Sequence, residues 1–324
     1  MVQWQRVVDK VLEAPVVTSF TRLGYDVRSR VAHWTKLADY DLTGRTVLIT
    51  GATSGLGRSA AETLARCGAT VIVWGRDPDK TDRVRQGIAM ASGNEHVESV
   101  VADMGDLAAV RAGAAEVLAR HARLDVLIHN AGALTTDRRT APDGTELTVA
   151  SQVVGPFLLT TLLLPILRVA APGRVLTMSS GGMYATGLTV QHLEMGDDYK
   201  GSEQYARAKR AQVTLNEMWA QHIDPSEVVF HAMHPGWADT PGVAASLPMF
   251  AKVMGPLLRS PEQGADTLVW LAADDGEPLH TSGGFWLDRA QRGLHKVPGT
   301  RRTDTPERRR ELWEWCERTA GVQP

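Results

Sequence analysis

Apolar positions along the chain recur with two different periods from residue 45 onward. Seven short runs rich in β-branched and apolar residues are predicted to be strands; they are 45–50, 69–75, 97–103, 124–130, 173–179, 227–233 and 283–288. Most are separated by stretches with apolar residues at helical spacing, such as 57–68 and 107–121. Because strands that are apolar throughout need cover on both faces, the pattern predicts a doubly wound α/β domain with a parallel sheet of about seven strands.

The segment before this alternation, residues 1–43, is predicted to be a helical extension. Its apolar side chains share one stripe of a helix, while its charged residues lie elsewhere on the helix; the stripe consists of Trp4, Val7, Val8, Val11 and Leu12. We expect this helix to pack on the domain or on a sister subunit. A peripheral contact with a membrane is the alternative.

The segment after the alternation, residues 291–324, is predicted to be a second helical extension. Its Thr-Pro-Glu sequence at 305–307 is typical of a helix start. The following residues mix both charges with Leu312, Trp313 and Trp315, so we expect a solvated helix. No internal repeat or Pro/Ser-rich linker interrupts residues 44–290, which are therefore predicted to form a single domain.

Composition and charge exclude several classes of protein. The chain has 324 residues with 43% hydrophobic content, and its 35 Lys and Arg against 37 Asp and Glu give a formal charge of −2. This balance gives no reason to expect nucleic acid as a partner. Cys67 and Cys316 are far apart and have no metal-site spacing, so we expect buried thiols in a reducing, cytoplasmic compartment.

Neither a secretory signal nor a transmembrane span is expected. Charges are scattered through the first 17 residues, where a signal peptide needs an uninterrupted apolar region. The most apolar run, 153–167, is shorter than a bilayer span and contains Pro156 and Pro165. We therefore expect this run to be a helix in the core.

A glycine-rich turn follows the first predicted strand and opens a helix. It reads T-G-x-x-x-G-x-G, with glycines at Gly51, Gly55 and Gly57. Glycine lets a backbone turn tightly and approach a ligand, and the N-terminus of the next helix offers unpaired N–H groups to a pyrophosphate. The turn therefore predicts a dinucleotide-binding site.

The end of the second strand indicates which dinucleotide is bound. In dinucleotide-binding folds this strand end faces the adenosine ribose, and an acidic residue there binds a free 2′-hydroxyl. Here Gly75 is followed by Arg76, whose guanidinium can bind a 2′-phosphate through two parallel hydrogen bonds. The sequence therefore favours NADP(H), while the neighbouring Asp77 leaves NAD(H) possible.

Tyr205 and Lys209 lie four residues apart in a run without glycine or proline, EQYARAKRAQ at 203–212. On a helix, this spacing places both side chains on the same face. Taken alone, the pair is compatible with either a solvated helix face or a proton-transfer device.

Taken together, these motifs resemble the short-chain dehydrogenase/reductase superfamily over residues 43–290, which implies a Rossmann fold. Each motif lies at a predicted strand end or on the helix that follows; in chain order they are the glycine turn, HNAG at 129–132, MSSGG at 178–182, Tyr205 with Lys209, and HPGWADT at 234–240. The sequences MSSGGMYATG, YARAKRAQV and MHPGWADTPGV are similar to the corresponding motifs of the subfamily of dehydrogenase/reductase SDR family member 12.

The resemblance implies catalytic roles for three residues. Ser180 would hydrogen-bond the substrate oxygen, with Ser179 as the alternative. Tyr205 would be the general acid/base, and Lys209 would hold the nicotinamide ribose. A free tyrosine has a pKa of about 10, and a nearby ammonium together with an oxidised nicotinamide would lower it toward a useful range.

The resemblance also implies a set of cofactor contacts and an oligomeric state. The cofactor residues, besides the three glycines and Arg76, are Thr53, Ser54 and Leu56 in the turn, Asp103 and Met104 at the adenine, Asn130, Ala131 and Gly132 along the adenosine side, and Pro235, Gly236 and Thr240 at the nicotinamide end. A homodimer or homotetramer through the helices after the fourth and fifth strands is implied as well.

One position departs from the family pattern. Many members have an asparagine, in the form N-x-x-G, that supports a water linked to the lysine. Here Gln152 stands at that position, with Gly155 keeping the register. Glutamine keeps the amide but adds a methylene, so Gln152 is either a part of the proton relay or a packing residue of its helix.

The substrate side can be interpreted only for polarity. Met183, Tyr184, Leu188 and the segment 242–258 predict an apolar pocket for a lipophilic ketone, aldehyde or alcohol. Asp197 and Asp198 are expected in a solvated loop. His231 and His234 are expected to be structural, because residues three apart on a strand point to opposite faces and cannot easily share a metal.

Two functions follow from these observations. The first is an NADP(H)-dependent oxidoreductase. The second is a dinucleotide-binding regulatory or scaffold protein with little turnover, which the departure at Gln152 suggests.

Overall fold

The seven predicted strands form one sheet in a computed structural model, which describes residues 8–9, 11–13, 16–246 and 248–322. The strands are β1 Thr46–Thr50, β2 Thr70–Gly75, β3 Val97–Val101, β4 Val126–His129, β5 Gly173–Met178, β6 Val228–Met233, β7 Gly284–Leu287 and β8 Ala290–Gln291. Their order is β3-β2-β1-β4-β5-β6-β7-β8, and all neighbours are parallel except β7 and β8. The predicted doubly wound parallel sheet is thus confirmed.

The eighth strand was not predicted. It is only two residues long and pairs antiparallel with β7 after a tight turn. Both turn residues, Asp288 and Arg289, have positive φ angles, of 54° and 52°. Non-glycine residues seldom adopt this conformation, so the sequence contains no turn signal there.

Helices cover both faces of the sheet. They are α1 Val16–Phe20, α2 Arg22–Val31, α3 Gly55–Arg66, α4 Pro78–Ser92, α5 Leu107–Arg120, α6 Leu147–Arg168, α7 Gly201–His222, α8 Pro241–Ser246, α9 Pro248–Met254, α10 Pro261–Ala273, α11 Pro298–Thr303 and α12 Pro306–Ala320. Residues Ala150–Val154 of α6 form a π-helical turn. One core cluster includes side chains of α5, α6, α7 and α12, and another includes side chains of α3, α4 and α10.

Helix α6 contains the apolar run that was expected to be too short for a membrane. It is longer than expected, at 22 residues, and it is the one helix of the described residues that is long and apolar enough to cross a bilayer. However, 78% of its most apolar window is buried inside the protein. The prediction of a core helix therefore agrees with the structure, and the helix extends beyond the apolar run 153–167 to Leu147 and Arg168.

The C-terminal helix α12 is not the solvated helix that the charge pattern suggested. Leu312 and Cys316 are completely buried, and Trp313 is nearly so. The Trp313 ring lies 5.0 Å from that of Phe157 in α6 and 4.7 Å from that of Trp219 in α7, measured between centroids. The charged residues occupy the outer face, so α12 is amphipathic and forms part of the core.

The N-terminal extension packs on the domain in its described part. Ser19 and Phe20 are buried, while Val11 is 67% exposed. Trp4 and Val7 of the predicted stripe lie outside the described residues.

The carboxyl ends of all the parallel strands meet at one edge of the sheet. The chain runs outward from β1 to β3 and then returns to place β4 on the other side of β1. Ligands of open α/β sheets bind at such a reversal of strand order. The motifs that follow β1, β4, β5 and β6 are therefore brought to one cleft.

Candidate active site

The glycine turn lies against the end of β4. Gly51 and Gly55 have positive φ angles, of 66° and 53°. A Cβ atom on Gly51 would lie 2.7 Å from the Ala131 Cα, and one on Gly57 would lie 2.3 Å from the Asn130 amide nitrogen. Side chains at Gly51 and Gly57 would thus collide with Ala131 and Asn130 after β4, which explains why both positions are glycine.

Asn130 holds this turn in place. Its side-chain nitrogen donates hydrogen bonds to the carbonyl oxygens of Thr50, at 3.0 Å, and Gly51, at 3.1 Å. The backbone N–H groups of Asn130 and Ala131 both donate to the Thr50 hydroxyl. Asn130 and Ala131 therefore shape the cradle from behind, while Gly132 is exposed at its rim.

The N-terminus of α3 is open toward the cleft. Ser54 is exposed at the N-cap, and among the described residues its side chain makes no capping hydrogen bond to the helix. Thr53 and Leu56 are half-buried on either side of it. Free N–H groups at a helix N-terminus suit a pyrophosphate. The chain's own residues thus fit the dinucleotide that the motif predicts.

Arg76 and Asp77 differ in their freedom to meet a ligand. Arg76 is exposed and has no ion pair with any described residue. Asp77 caps α4, and its carboxylate accepts the Lys80 N–H at 2.8 Å. The carboxylate that left NAD(H) possible is therefore engaged in a helix cap.

Asp103 and Met104 follow β3 at the same edge. The Asp103 carboxylate accepts the Gly105 N–H at 2.9 Å, and the residue is half-buried. The Met104 side chain is buried in the core, so only its backbone is available to a ligand. A Cβ on Gly155 would lie 2.2 Å from the Met104 carbonyl oxygen, so α6 packs directly against this loop.

The two serines after β5 have different surroundings. Ser179 is buried, and its hydroxyl donates to the Lys209 carbonyl oxygen at 3.2 Å. Ser180 is half-buried and lies next to Tyr205, because a Cβ on Gly182 would lie 3.5 Å from the Ser180 hydroxyl oxygen and 4.0 Å from the Tyr205 ring. Of the two, Ser180 is therefore the serine beside the tyrosine.

Lys209 lies beneath Tyr205. Its ammonium nitrogen donates to the Met178 carbonyl oxygen at 2.9 Å and lies 5.3 Å from the centre of the tyrosine ring. Burial lowers the pKa of Lys209 to about 7. Burial also raises the pKa of Tyr205, and the neighbouring Ser180 side chain opposes that rise. The expected lowering of the Tyr205 pKa by Lys209 thus depends on the lysine being charged, which burial disfavours.

Gln152 lies in the π-helical turn of α6 and is completely buried. Its side-chain nitrogen donates to the Ala133 carbonyl oxygen at 2.8 Å. Its own backbone oxygen accepts a hydrogen bond from the Gln212 side chain at 2.6 Å. A Cβ on Gly132 would lie 2.8 Å from the Gln152 side-chain oxygen. Gln152 thus connects the loop after β4 with helix α7, which carries Tyr205.

A small cavity of about 30 Å³, lined by apolar side chains and a few polar groups, lies between α6 and α7 beside Gln152. Several buried polar atoms that line it have no partner among the described residues: Nδ1 of His129, the side-chain oxygens of Gln152 and Gln212, and both amide atoms of Asn216. A cavity of this size that presents polar groups can hold about one or two water molecules. Neither Gln212 nor Asn216 was predicted, because the sequence does not show that α6 and α7 face each other here.

The loop after β6 reaches the glycine turn from the other side. Gly236 has a φ of 72°, and a Cβ on Gly55 would lie 3.5 Å from the Thr240 side chain. The Thr240 hydroxyl accepts the Val243 N–H at 3.2 Å. Pro235 and Gly236 are half-buried between the cleft and Arg259. The structure therefore brings together the ends of the predicted cofactor site.

Three predicted pocket residues do not line an open pocket. Met183, Tyr184 and Leu188 are buried in the core, and the Tyr184 hydroxyl donates to the Gly293 carbonyl oxygen at 3.0 Å. The prediction was wrong for them, because the turn after Ser180 directs them inward. In the segment 242–258, by contrast, Met249 is 71% and Val253 is 70% exposed.

The environments of His231 and of the aspartates at 197 and 198 agree with the roles expected for them, a structural histidine and a solvated loop. His231 is bonded to the Pro278 carbonyl oxygen and to the Trp286 indole, while Asp197 and Asp198 are exposed. Within the described ranges, no cluster of three or more His, Cys, Asp or Glu residues could hold a metal ion. Cys67 and Cys316 are buried free thiols, as expected.

The family model described as short chain dehydrogenase matches residues 45–249. The chain belongs to the short-chain dehydrogenase family. Human dehydrogenase/reductase SDR family member 12 is 35% identical over 304 residues, which cover 93% of this chain and 94% of that protein. The resemblance drawn from the motifs is therefore confirmed, including the similarity to family member 12.

Further members extend this comparison. Human retinol dehydrogenase 13 is 30% identical over 292 residues, covering 87% of this chain and 86% of that protein. A short-chain dehydrogenase from Shigella flexneri, solved in complex with NADP, has 25% identity and a TM-score of 0.62 over 78% of this chain and 100% of that one. This oxidoreductase family therefore includes members seen with a bound nicotinamide cofactor.

Proposed function

We propose that this short-chain dehydrogenase transfers a hydride between NADP(H) and a lipophilic carbonyl or secondary alcohol, with Tyr205 as the general acid/base. The observation that carries the proposal is the meeting of Ser180, Tyr205 and Lys209 at the carboxyl edge of the sheet. The glycine turn opens at the same edge. A nicotinamide bound there would supply or accept the hydride.

The protein's own residues would orient the substrate and move its proton. Ser180 would hold the substrate oxygen beside the Tyr205 phenol, so that proton and hydride arrive at opposite ends of one bond. In reduction, Tyr205 would donate its proton to that oxygen. Lys209, with a pKa of about 7, would change its charge near neutrality and adjust the acidity of the phenol.

The preference for NADP(H) is supported by the contrast at the end of β2. Arg76 is exposed and available for a 2′-phosphate, whereas the Asp77 carboxylate caps α4. An apolar substrate is supported by exposed Met249 and Val253 on α9. The similarity to retinol dehydrogenase 13, which is named for a lipophilic alcohol, points the same way.

The second candidate function is a dinucleotide-binding regulatory or scaffold protein. It is favoured by the position of Gln152, whose amide and carbonyl groups bond to Ala133 and Gln212. These bonds engage the side-chain nitrogen and the backbone oxygen of Gln152, so only its side-chain oxygen is left to support a relay water. A protein of this kind would bind NADPH without turnover.

An assembly through α6 and α7, as the family implies, would have to share those helices with α12. Trp313 already packs against both of them. We propose a homodimer or homotetramer in the cytoplasm that uses the uncovered parts of these helices. A monomer in light scattering at micromolar concentration would refute the assembly.

The experiment that separates the two functions combines binding and turnover. Purified protein is titrated with NADPH and NADH and then assayed on a panel of retinoid, steroid and alkyl aldehydes, ketones and alcohols. Turnover that disappears in Tyr205→Phe but persists in Tyr184→Phe supports the oxidoreductase. NADPH binding without turnover on any substrate supports the regulatory protein.

A further inference from the structure

A short piece of the N-terminal extension packs into the core beneath the loops that follow β5 and β6. Phe20 is only 5% exposed, and its ring centroid is 4.5 Å from that of His234 and 5.8 Å from that of Trp237. A Cβ on Gly181 would lie 2.6 Å from the same ring. Phe20 thus touches the turn that begins at Ser180 and the loop that follows β6.

The backbone of this piece is bonded to the same loop. The Phe20 carbonyl oxygen accepts the Trp237 N–H at 2.8 Å and the Arg259 Nε–H at 3.0 Å. A Cβ on Gly236 would lie 2.6 Å from that oxygen. The extension therefore approaches residues 235–237 as closely as a neighbouring strand would.

Arg259 connects the extension, the loop and the sheet. Its guanidinium donates to the carbonyl oxygens of Ser19 and Pro235, at 2.9 and 3.2 Å. It also forms two hydrogen bonds with the Asp288 carboxylate in the turn after β7, at 2.6 and 2.9 Å. Arg259 is 1% exposed, so this bidentate pair is shielded from water.

A second arginine ties the extension to the same carboxylate. Arg28 of α2 donates to the Ser19 carbonyl oxygen at 3.0 Å and to Asp288 at 2.7 Å. Two buried guanidinium groups thus share one carboxylate and both hold the Ser19 backbone. Breaking such a network leaves a buried charge without its partner, which resists local opening.

We propose that Ser19–Thr21, the N-terminal clamp, is a positioning element of the active site, with Phe20 as its positioning residue. The clamp fixes the turn that carries Ser180 and the loop 235–237 relative to each other. This inference rests on the proposed oxidoreductase function. The clamp lies outside residues 45–249, which match the family model, so it is an addition to the matched domain.

The clamp affects the positions of the reacting groups and does not contact the predicted binding site for the adenosine part of the cofactor. Ser180 and residues 235–236 are predicted to meet the substrate oxygen and the nicotinamide, whereas Arg76 lies at the end of β2, separated from β5 by β1 and β4. Loosening the loop should therefore lower kcat, because small displacements of reacting groups have large effects on rate. Affinity for the adenosine part of NADPH should change little.

The test compares Phe20→Ala with Phe20→Leu and with Leu312→Ala, which removes a buried side chain from α12. Hydrogen exchange of peptides covering 235–239 reports on the clamp without any need for turnover. We expect Phe20→Ala to speed this exchange and to lower kcat, each by about tenfold or more, while NADPH affinity stays within about twofold. Phe20→Leu should restore most of both values, because it keeps an apolar side chain of moderate size.

Leu312→Ala should lower stability without faster exchange at 235–239. The proposal is overturned if exchange there is unchanged in Phe20→Ala, or if it rises equally in Leu312→Ala. If the wild type shows no turnover on the panel, the proposed function fails, while the exchange comparison still decides whether the clamp orders the loop. If Phe20→Ala does not fold, Phe20→Val, which removes less of the side chain, must speed exchange at 235–239 by more than Phe20→Leu does, and a wild-type exchange pattern in Phe20→Val overturns the proposal.

Discussion

The two halves of the cleft are built in different ways. The cofactor half, at the ends of β1, β2 and β4, consists of a few short motifs that are each continuous in sequence and that the sheet brings together. The substrate half, at the ends of β5, β6 and β7, joins pieces from five distant parts of the chain: Ser19–Thr21, Gly181, 235–237, Arg259 and Asp288. Each motif of the cofactor half can be recognised from a few neighbouring residues, whereas the substrate half combines single residues and short pieces that are far apart in sequence.

The two halves also use arginine differently. Arg76 of the cofactor half is exposed and free to meet a phosphate. Arg28 and Arg259 of the substrate half are buried and paired with Asp288. An exposed cation is available for ligand binding, while a buried pair holds its segments in fixed positions. The following predictions test this contrast, beginning with the largest expected effect.

Tyr205→Phe should lower kcat by about a thousandfold, because general acid/base catalysis typically contributes 10²–10⁴-fold. Steady-state assays on whichever carbonyl the wild type reduces provide the measurement. Tyr184→Phe is the matched control, since it removes a buried hydroxyl that bonds to Gly293 and should keep kcat within about twofold. Equal losses in the two variants would contradict a special role for Tyr205.

Asp288→Ala should destabilise the protein by about 3 kcal/mol, because it leaves Arg259 buried without its carboxylate and Arg28 with Asp9 alone. Urea unfolding followed by tryptophan fluorescence measures this loss. Asp197→Ala removes an exposed carboxylate and should change stability by less than about 0.5 kcal/mol. A small effect at Asp288 would mean that the substrate half does not depend on buried pairing.

Arg76→Ala should weaken NADPH binding by about thirtyfold, or roughly 2 kcal/mol, while leaving NADH binding and stability almost unchanged. Fluorescence titration with both cofactors gives the comparison. Arg83→Ala removes another arginine from the helix that follows and serves as the control. An equal loss for both cofactors would show that Arg76 does not recognise the 2′-phosphate.

Lys209 should make stability depend on pH. Its pKa in the folded protein is about 7, below the ordinary value of 10.5, so the unfolded chain binds more protons between these values and stability rises with pH. The expected gain attributable to Lys209 is about 1 kcal/mol between roughly pH 7 and 8, with little dependence well below 7. Urea unfolding of wild type and Lys209→Met between pH 7 and 8 measures the contribution of Lys209, because the free energy of unfolding of the variant should lack this rise. If the free energy of unfolding changed with pH in the same way in both proteins, Lys209 would not be a buried lysine with a lowered pKa.

Much of the fold and of the cofactor half could be predicted from the sequence. The β-branched runs located all seven parallel strands, because strands covered on both faces must be apolar throughout. The glycine turn was recognised from its glycine spacing between a predicted strand and a predicted helix, and the structure shows that Gly51 and Gly57 leave no space for a side chain. Strand β8 was missed, since two residues after an unusual turn carry no periodic signal.

The substrate half was predicted less completely. Met183 and Tyr184 were expected at an open pocket but are buried, because the direction of a turn depends on what packs around it. The sequence around Phe20 gives only a weak signal, because Phe20 is a single aromatic residue among Thr18, Ser19 and Thr21. The solvated helix expected near Trp313 became part of the core through its contacts with α6 and α7.

The sequence by itself determined the doubly wound sheet, the phosphate turn and the spacing of Tyr205 and Lys209, because these depend on period, steric size and neighbours within a few residues. Tertiary structure decided which serine reaches Tyr205, which groups Gln152 contacts and where the N-terminal extension lies. Those outcomes depend on contacts between distant segments, such as Arg259 with Ser19, which lie 240 residues apart, and Arg28 with Asp288, which lie 260 apart. Only the folded chain brings such segments within hydrogen-bonding distance.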